Sequence, residues 1–115
     1  MTTPRLFEIV VDCADPTRLA RFWAAVFGVE PVLRSADWAY VEGEGTRTRI
    51  AFQRVPEPKV VKNRVHLDVE VDDLEAERAR LVTLGATVVG EVVEDEEGPF
   101  QVMLDPEGNE LCLVR

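Results

Sequence analysis

Apolar and polar positions follow two different periods in the first part of the chain. A short apolar run over residues 7–11, broken only by Glu8, predicts a strand. From residue 16 onward, apolar side chains recur every three or four positions, and this spacing predicts a helix over Pro16–Phe27. Asp15 is expected to cap the start of the helix, and Gly28 is expected to end it. The apolar face of this helix consists of Leu19, Phe22, Trp23, Val26 and Phe27.

The pattern then changes to short β-prone pieces. Strands are predicted at residues 31–34, 38–42 and 46–54, and the glycines at 43 and 45 predict a hairpin between the last two. Pro56 and Pro58 cannot continue a sheet ladder, because proline has no backbone donor. Residues 56–62 are therefore predicted to form a linker.

The second half of the chain repeats the first. A strand is predicted over residues 64–71, then a helix that starts after Asp73 and ends at Gly85, then strands at 87–93, 99–104 and 110–114. Asp15 follows Glu8 by seven residues, and Asp73 follows His66 by the same interval, so the halves align with an offset of 58. We therefore predict one α+β domain built from two βαβββ modules, about 5–55 and 63–115. The two sheets are expected to curve into a partly closed barrel around a cleft, with the helices outside.

Strand periodicity assigns the candidate site residues to faces. Because side chains alternate along a strand, Leu67 and Val69 should lie under the helix, and His66, Asp68 and Glu70 should point the other way. In the first strand, Glu8 likewise points away from the helix. We therefore expect Glu8 and His66 to face one shared cleft between the modules.

Charge and composition exclude several classes of protein. Thirteen Lys+Arg against 22 Asp+Glu give a net charge of −9, which would repel nucleic acid and anionic membranes. No window approaches the roughly 20 apolar residues of a membrane span. Cys13 and Cys112 are too few for a disulfide framework and suit the cytoplasm.

Five segments, taken in order, resemble a known family. They are residues 8–16 (EIVVDCADP), 21–28 (RFWAAVFG), 63–73 (NRVHLDVEVDD), 84–86 (LGA) and 105–110 (DPEGNE). Together with the repeat, they resemble the vicinal oxygen chelate superfamily, which includes glyoxalase I, extradiol dioxygenases and bleomycin-resistance proteins. The likeness is to its small glyoxalase-like branch and covers nearly the whole chain.

The resemblance implies positions for a divalent metal such as Zn, Ni, Fe or Mn. In metal-dependent families, ligands come from the first residue of each module's opening strand, from the fourth strand and from the last strand. Carried over, these positions are Glu8, His66, Ala51 or Gln53, and Cys112. Ala51 has no donor, Gln53 offers only an amide oxygen, and Cys112 replaces the usual glutamate. In a metalloenzyme, Asp68 or Glu70 could act as the base.

Each candidate residue also has a plainer interpretation. His66 could be a pocket-wall histidine, Glu8 could pair with Arg64 or Arg49 across the sheet, and the cysteines could be small buried hydrophobes. Arg49 belongs to a basic group that could receive an anion or, more plainly, form solvated pairs with acids. Trp38 and Met103 could line an apolar pocket or face the helices as core. The candidate ligand-binding residues are Glu8, Trp38, Arg49, Gln53, His66 and Met103.

Three functional hypotheses follow, with the question of enzymatic activity left open. The first is binding of a small organic ligand in the cleft, with bleomycin-resistance-like sequestration and no tight metal. The alternative is a divalent-metal-dependent lyase, isomerase or dioxygenase. A structural or regulatory dimer is the third. We expect a homodimer in each case, because curved sheets leave edges that a second copy can cover.

Overall fold

The first half of the chain forms a four-stranded sheet with one helix. The structure is a computed structural model that describes residues 3–115, and it divides into two compact units between Pro58 and Lys59. In the first unit, β1 (Glu8–Cys13) is followed by α1 (Pro16–Phe27), β2 (Val32–Leu33), β3 (Trp38–Val41) and β4 (Arg49–Arg54). The strand order is β1-β4-β3-β2, with β1 parallel to β4 and the other neighbours antiparallel.

Helix α1 has the limits that its sequence predicts. The Asp15 carboxylate accepts a hydrogen bond from the backbone N–H of Arg18 at 3.2 Å, and Pro16 occupies the first helical turn. Gly28 ends the helix at φ 68°, a left-handed conformation that glycine adopts without strain. Phe22 and Trp23 are 4% and 3% exposed, which confirms the predicted apolar face.

The first sheet has one face against α1 and one face away from it. Ile50 and Phe52 of β4 pair with Val41 and Ala39 of β3, and these buried side chains lie on the helix side. The opposite side, here called the first far face, carries the alternate residues. They are Glu8, Val10 and Asp12 of β1, Trp38 and Tyr40 of β3, and Arg49, Ala51 and Gln53 of β4.

The second unit repeats this topology. It contains β5 (Leu67–Glu70), α2 (Leu74–Leu84), β6 (Thr87–Asp95), β7 (Gly98–Leu104) and β8 (Glu110–Val114), in the sheet order β5-β8-β7-β6. Strand β5 is parallel to β8, and the other neighbours are antiparallel. The predicted α+β fold with two βαβββ modules is therefore confirmed. Each sheet has four strands and is not closed on itself.

A buried glutamine organises the core of the second unit. Gln101 has no exposed surface and lies on the same face of the sheet as Leu111 and Leu113. Its amide nitrogen donates to the carbonyl oxygens of Val89 and Gly90 at 3.1 and 3.2 Å. The register of β6 against β7 shifts between Val89 and Val93, so Gln101 satisfies backbone groups at an irregular part of the ladder.

The prediction of a strand from residue 64 is wrong at its start, because β5 begins at Leu67. The segment before it is held by side chains instead of a ladder. The Glu110 carboxylate accepts from Nζ of Lys59 at 3.1 Å and from the backbone N–H of Asn63 at 3.0 Å. The side-chain oxygen of Asn63 accepts from the Glu110 backbone N–H at 3.1 Å. These contacts fix the path of the chain just ahead of His66.

Three strands of the first unit also begin later than predicted, and for β2 the difference is one residue, from 31 to Val32. The strand predicted from residue 7 begins at Glu8, with Phe7 70% exposed before it. The strand predicted from residue 46 begins at Arg49, because Thr46 closes a turn on Gly43 through backbone and hydroxyl hydrogen bonds. Within residues 3–115, neither helix is long and apolar enough to cross a membrane.

Candidate functional site

A cavity of about 250 Å³ opens on the second sheet, on the side away from α2. We call it the second-unit pocket. Phe100 and Val114 pair across β7 and β8 and supply apolar surface. Polar groups surround this apolar surface, namely His66, Asp68, Asp95, Glu97 and Cys112. The pocket therefore combines a phenyl ring, an imidazole, a thiol and three carboxyl groups.

His66, Asp68 and Cys112 meet because of strand geometry. His66 directly precedes β5, and Asp68 two positions later points to the same side. Asp68 pairs with Cys112 across β5 and β8. Nε2 of His66 lies 3.3 Å from Oδ1 of Asp68, and the ligand atoms of all three residues lie within 4.8 Å of one another.

The Cys112 thiol resists deprotonation. Burial raises its pKa, and the negative charge of Asp68 raises it further, against a smaller opposite effect of Lys62. Because the thiolate is the form that attacks electrophiles and binds metals, Cys112 in this state is a weak nucleophile and a weak ligand. A bound cation would reverse this effect by stabilising the thiolate.

The β6–β7 turn brings acidic side chains to the pocket. The Asp95 carboxylate accepts a hydrogen bond from the backbone N–H of Glu97 at 2.8 Å. Gly98 follows at φ 115°, and a Cβ atom there would lie 2.8 Å from the carbonyl oxygen of Arg115. The turn is therefore restricted to glycine at this position, and it sets Asp95 and Glu97 at the pocket.

Arg49 is the centre of a polar cluster on the first far face. Its guanidinium carbon lies 3.9 Å from the centre of the Tyr40 ring and 5.1 Å from that of Phe7. Nε and Nη2 donate to the two carboxylate oxygens of Glu42 at 3.2 and 3.4 Å. The hydrogen bond with Glu42 raises the pKa of Arg49, as do the charges of Glu42 and, to a smaller extent, Glu8, although burial opposes them.

Two other predicted site residues line a different recess of the first unit. Trp38 and Gln53 pair across β3 and β4, beside an open recess of about 740 Å³. Asp37 and Arg54 lie at the same recess and form an exposed ion pair at 3.7 Å. Gln53 pairs with Asp12 and lies four residues along β4 from Arg49, the register partner of Glu8.

The remaining predicted residues lie elsewhere. Met103 has no exposed surface and pairs with Leu111 on the helix side of the second sheet, so it belongs to the core and lines no pocket. Glu70 is exposed and does not line the second-unit pocket. Sequence reasoning did not place Asp95 and Glu97 at the site, because an acidic run such as residues 94–97 is typical of a solvated hairpin tip. A cleft shared by Glu8 and His66 stays a prediction.

The strand register shows which fourth-strand residue is the equivalent of Cys112. Val10 and Asp68 correspond through the offset of 58, and they pair with Ala51 and Cys112 respectively. Ala51 has no donor atom, so by this correspondence the four-residue set lacks one ligand, and a ligand at Gln53 stays a prediction. His66, Asp68 and Cys112 do form a set with nitrogen, oxygen and sulfur donors, which suits zinc or nickel. A metal held there would supply Lewis acidity.

Comparison with known proteins assigns the family. The sequence matches the family model of the Glyoxalase-like domain over residues 8–114. The chain belongs to this family, and the predicted membership of the vicinal oxygen chelate superfamily is confirmed. A search of curated proteins gives no match.

Solved structures share the fold at low sequence identity. A glyoxalase/bleomycin resistance protein/dioxygenase family enzyme from Burkholderia phytofirmans superposes with a TM-score of 0.80 at 20% identity, covering 96% of this chain and 97% of that one. A bleomycin-binding protein from Streptomyces verticillus, in complex with copper(II)-bleomycin, gives 0.67 at 21%, covering 99% and 98%. The oxidase ChaP-H2 gives 0.74 at 22%, covering 99% and 94%.

Proposed function

We propose that this protein binds a small organic ligand in the second-unit pocket and sequesters it without a tightly bound metal. The observation that carries the proposal is the composition of the pocket, in which the Phe100 ring lies among acidic side chains. A cavity of about 250 Å³ admits a small molecule or one arm of a larger one. The bleomycin-binding structural neighbour supports a role in ligand binding.

The chemistry of the pocket favours a ligand with an aromatic body and a cationic group. Phe100 offers aromatic surface to an apolar or positively charged partner. Asp68, Asp95 and Glu97 supply negative charge. The net charge of −9 adds attraction for cations over a longer range.

Calorimetric titration with benzylammonium and benzoate tests this proposal, since the two probes differ mainly in the sign of their charge. We expect the protein to bind benzylammonium in preference to benzoate and to bind it about tenfold more weakly after Glu97→Gln, the loss of one charge-assisted contact. Phe100→Ala should also weaken binding. Glu94→Gln is the matched control, because Glu94 is exposed on β6 and does not line the pocket. Equal binding of both probes, or an equal effect of both glutamine variants, would contradict the proposal.

A metal-dependent lyase, isomerase or dioxygenase is the second candidate. The proximity of His66, Asp68 and Cys112 favours it. These residues would hold the ion, so Asp68 would serve as a ligand, and Glu70, the other predicted base, lies outside the pocket lining. Elemental analysis of untagged protein and thermal melting with zinc, nickel, manganese and iron(II) separate the candidates. A tightly held ion would raise Tm in the wild type and not in His66→Ala, and stoichiometric metal after purification would favour the enzyme.

We propose in addition that the protein acts in the cytoplasm as a homodimer. Two cysteines without a disulfide framework suit a reducing compartment. The sheets are open, and β6 is an edge strand that is exposed along all nine of its residues. Such an edge is commonly covered in solution.

A further inference from the structure

The open recess of the first unit is a cavity that the proposed function does not use. Its volume is about 740 Å³, which lies within the range of small-molecule sites. The walls include Trp38 at the start of β3, Gln53 and Arg54 at the end of β4, and Val55 and Pro56 after β4. All the lining residues belong to the first unit, so the recess is complete within that unit.

Paired backbone holds the polar walls of the recess in place. Trp38 and Gln53 are register partners on the antiparallel strands β3 and β4, so their side chains lie next to each other on the first far face. The backbone N–H of Arg54 donates to the carbonyl oxygen of Asp37 at 3.0 Å, which continues the ladder past the end of β3. A ligand would therefore meet side chains that regular strands position, which favours a defined binding geometry.

The polar groups of Trp38 and Gln53 are available to a ligand. Trp38 is half-buried and Gln53 is exposed. Among residues 3–115, the indole N–H of Trp38 and the side-chain amide of Gln53 make no hydrogen bond within the chain. A glutamine amide offers two N–H donors and one carbonyl acceptor. The recess therefore combines aromatic surface with an adjacent donor and acceptor that the fold leaves unused.

The charges at the recess balance each other. Its charged lining residues are Asp37 and Arg54, whose carboxylate and guanidinium lie 3.7 Å apart. This distance is too long for a hydrogen bond, and both side chains are more than half exposed. A cationic ligand would approach Arg54 and an anionic ligand would approach Asp37, so each would meet one like charge. The lining therefore favours a neutral ligand, in contrast to the acidic second-unit pocket.

We propose that this recess is a second ligand site, which binds a neutral aromatic carboxamide. The ring of the ligand packs against the Trp38 indole, in the offset arrangement that aromatic pairs prefer. The carboxamide of the ligand pairs with the side-chain amide of Gln53, because each group has an N–H donor beside a carbonyl acceptor. Val55 and Pro56 supply apolar surface to the remainder of the ring.

NMR titration of the whole chain tests the site through the indole N–H signals of its two tryptophans. Benzamide carries the ring and the carboxamide, and methyl benzoate keeps the ring and the carbonyl group but has no N–H donor. We expect benzamide to shift the Trp38 signal and to leave that of the buried Trp23 unchanged. Benzamide should bind about fivefold more tightly than methyl benzoate, the effect of one hydrogen bond between neutral groups. Benzoate and benzylammonium should both shift the Trp38 signal more weakly than benzamide does.

Matched variants separate a built site from weak contact with an exposed ring. Gln53→Leu should lower the affinity for benzamide to that for methyl benzoate. Glu44→Leu makes a polar-to-leucine change at an exposed position outside the recess, and it should bind benzamide as the wild type does. Circular dichroism should show that both variants fold.

Three outcomes would overturn the proposal. They are an unchanged Trp38 signal with benzamide, equal affinity for benzamide and methyl benzoate, and an equal loss of affinity in Gln53→Leu and Glu44→Leu. The second-unit variants Glu97→Gln and Phe100→Ala should not alter the response of the Trp38 signal. This test therefore succeeds or fails independently of the proposed function.

Discussion

Gln101 accepts a hydrogen bond at its Oε1 atom from Nη1 of Arg78 at 2.9 Å, and this contact joins β7 to α2. Replacing Gln101 by leucine keeps the approximate volume but removes every hydrogen bond of the amide. Arg78 and the carbonyl groups of Val89 and Gly90 would lose the partner that the fully buried Gln101 side chain supplies. We expect Gln101→Leu to lower the free energy of unfolding by about 2–3 kcal/mol, measured by urea denaturation. Gln53→Leu, at an exposed position, is the control, and an equal loss in both variants would contradict this role.

The core position of Trp23 gives a second prediction. Its ring meets Phe22 edge to face at 5.5 Å and stacks with Phe27 at 6.0 Å between centroids. Trp23→Ala should cost about 3–5 kcal/mol, because truncation of a core aromatic leaves a cavity. Arg21→Ala, on the exposed side of the same helix, should have little effect. An unchanged melting temperature in Trp23→Ala would show that the ring contributes little packing.

The Glu110 carboxyl makes the free energy of unfolding depend on pH in the acidic range. Burial alone would raise its pKa, but the backbone N–H groups of Asn63 and Glu110 and the ammonium of Lys59 lower the pKa more strongly. A carboxyl with a lowered pKa in the folded state stabilises the fold above its unfolded pKa, near about 4.3. This stabilisation is lost as the pH falls through the lower pKa that Glu110 has in the folded state.

The variant Glu110→Gln should therefore be less stable at neutral pH by about 1 kcal/mol. The difference from wild type should disappear in acid, where the wild-type carboxyl is protonated. Chemical unfolding at a series of pH values measures this, with Glu70→Gln as an exposed control in the same unit. A stability difference that stays constant with pH would exclude the charge of Glu110 as the cause.

The composition of the metal positions predicts a lack of glyoxalase I activity. Ala51 offers no ligand, and the raised pKa of Cys112 disfavours the thiolate. We expect no detectable turnover of the glutathione adduct of methylglyoxal, with or without added nickel or zinc. The assay follows thioester formation, with a known glyoxalase I as the positive control. Robust turnover by the wild-type chain would reverse the order of the two proposed functions.

A homodimer is expected because β6 presents an exposed edge. Val88, Val89, Val92 and Val93 on this strand are each between 38% and 48% exposed. Light scattering over a wide concentration range should give twice the mass of the chain. A monomer mass at every concentration would refute the prediction.

Local signals in the sequence predicted which helices and strands form better than they predicted the residues at which these begin and end. Helix α1 matches at both ends because Asp15, Pro16 and Gly28 act within a few residues of the helix. The predicted start of β5 was wrong because the segment before it is held by Glu110, which binds Lys59 and Asn63. Glu110 lies about 50 residues away, so no local pattern reveals these contacts.

Site assignments that depend on strand pairing are harder to make from local patterns. Ala51 and Gln53 were equal candidates in the sequence, and only the register shows that Ala51 is the equivalent of Cys112. Met103 was assigned to a pocket because the polar Gln101 disguises the buried face of β7. Arg49 pairs with Glu42, as the plainer interpretation of the basic group expects, and anion binding by Arg49 stays a prediction. This pairing depends on how β3 folds back on β4, which no local pattern reveals.

All the walls of the second-unit pocket come from residues 66–114, and the segment that leads into it is tied to Glu110 within the same unit. A whole-unit exchange between two copies of the chain would therefore carry the pocket along intact. Duplication of a module with such self-contained chemistry frees each copy to diverge separately. A new specificity can then arise in one half while the other half retains its own.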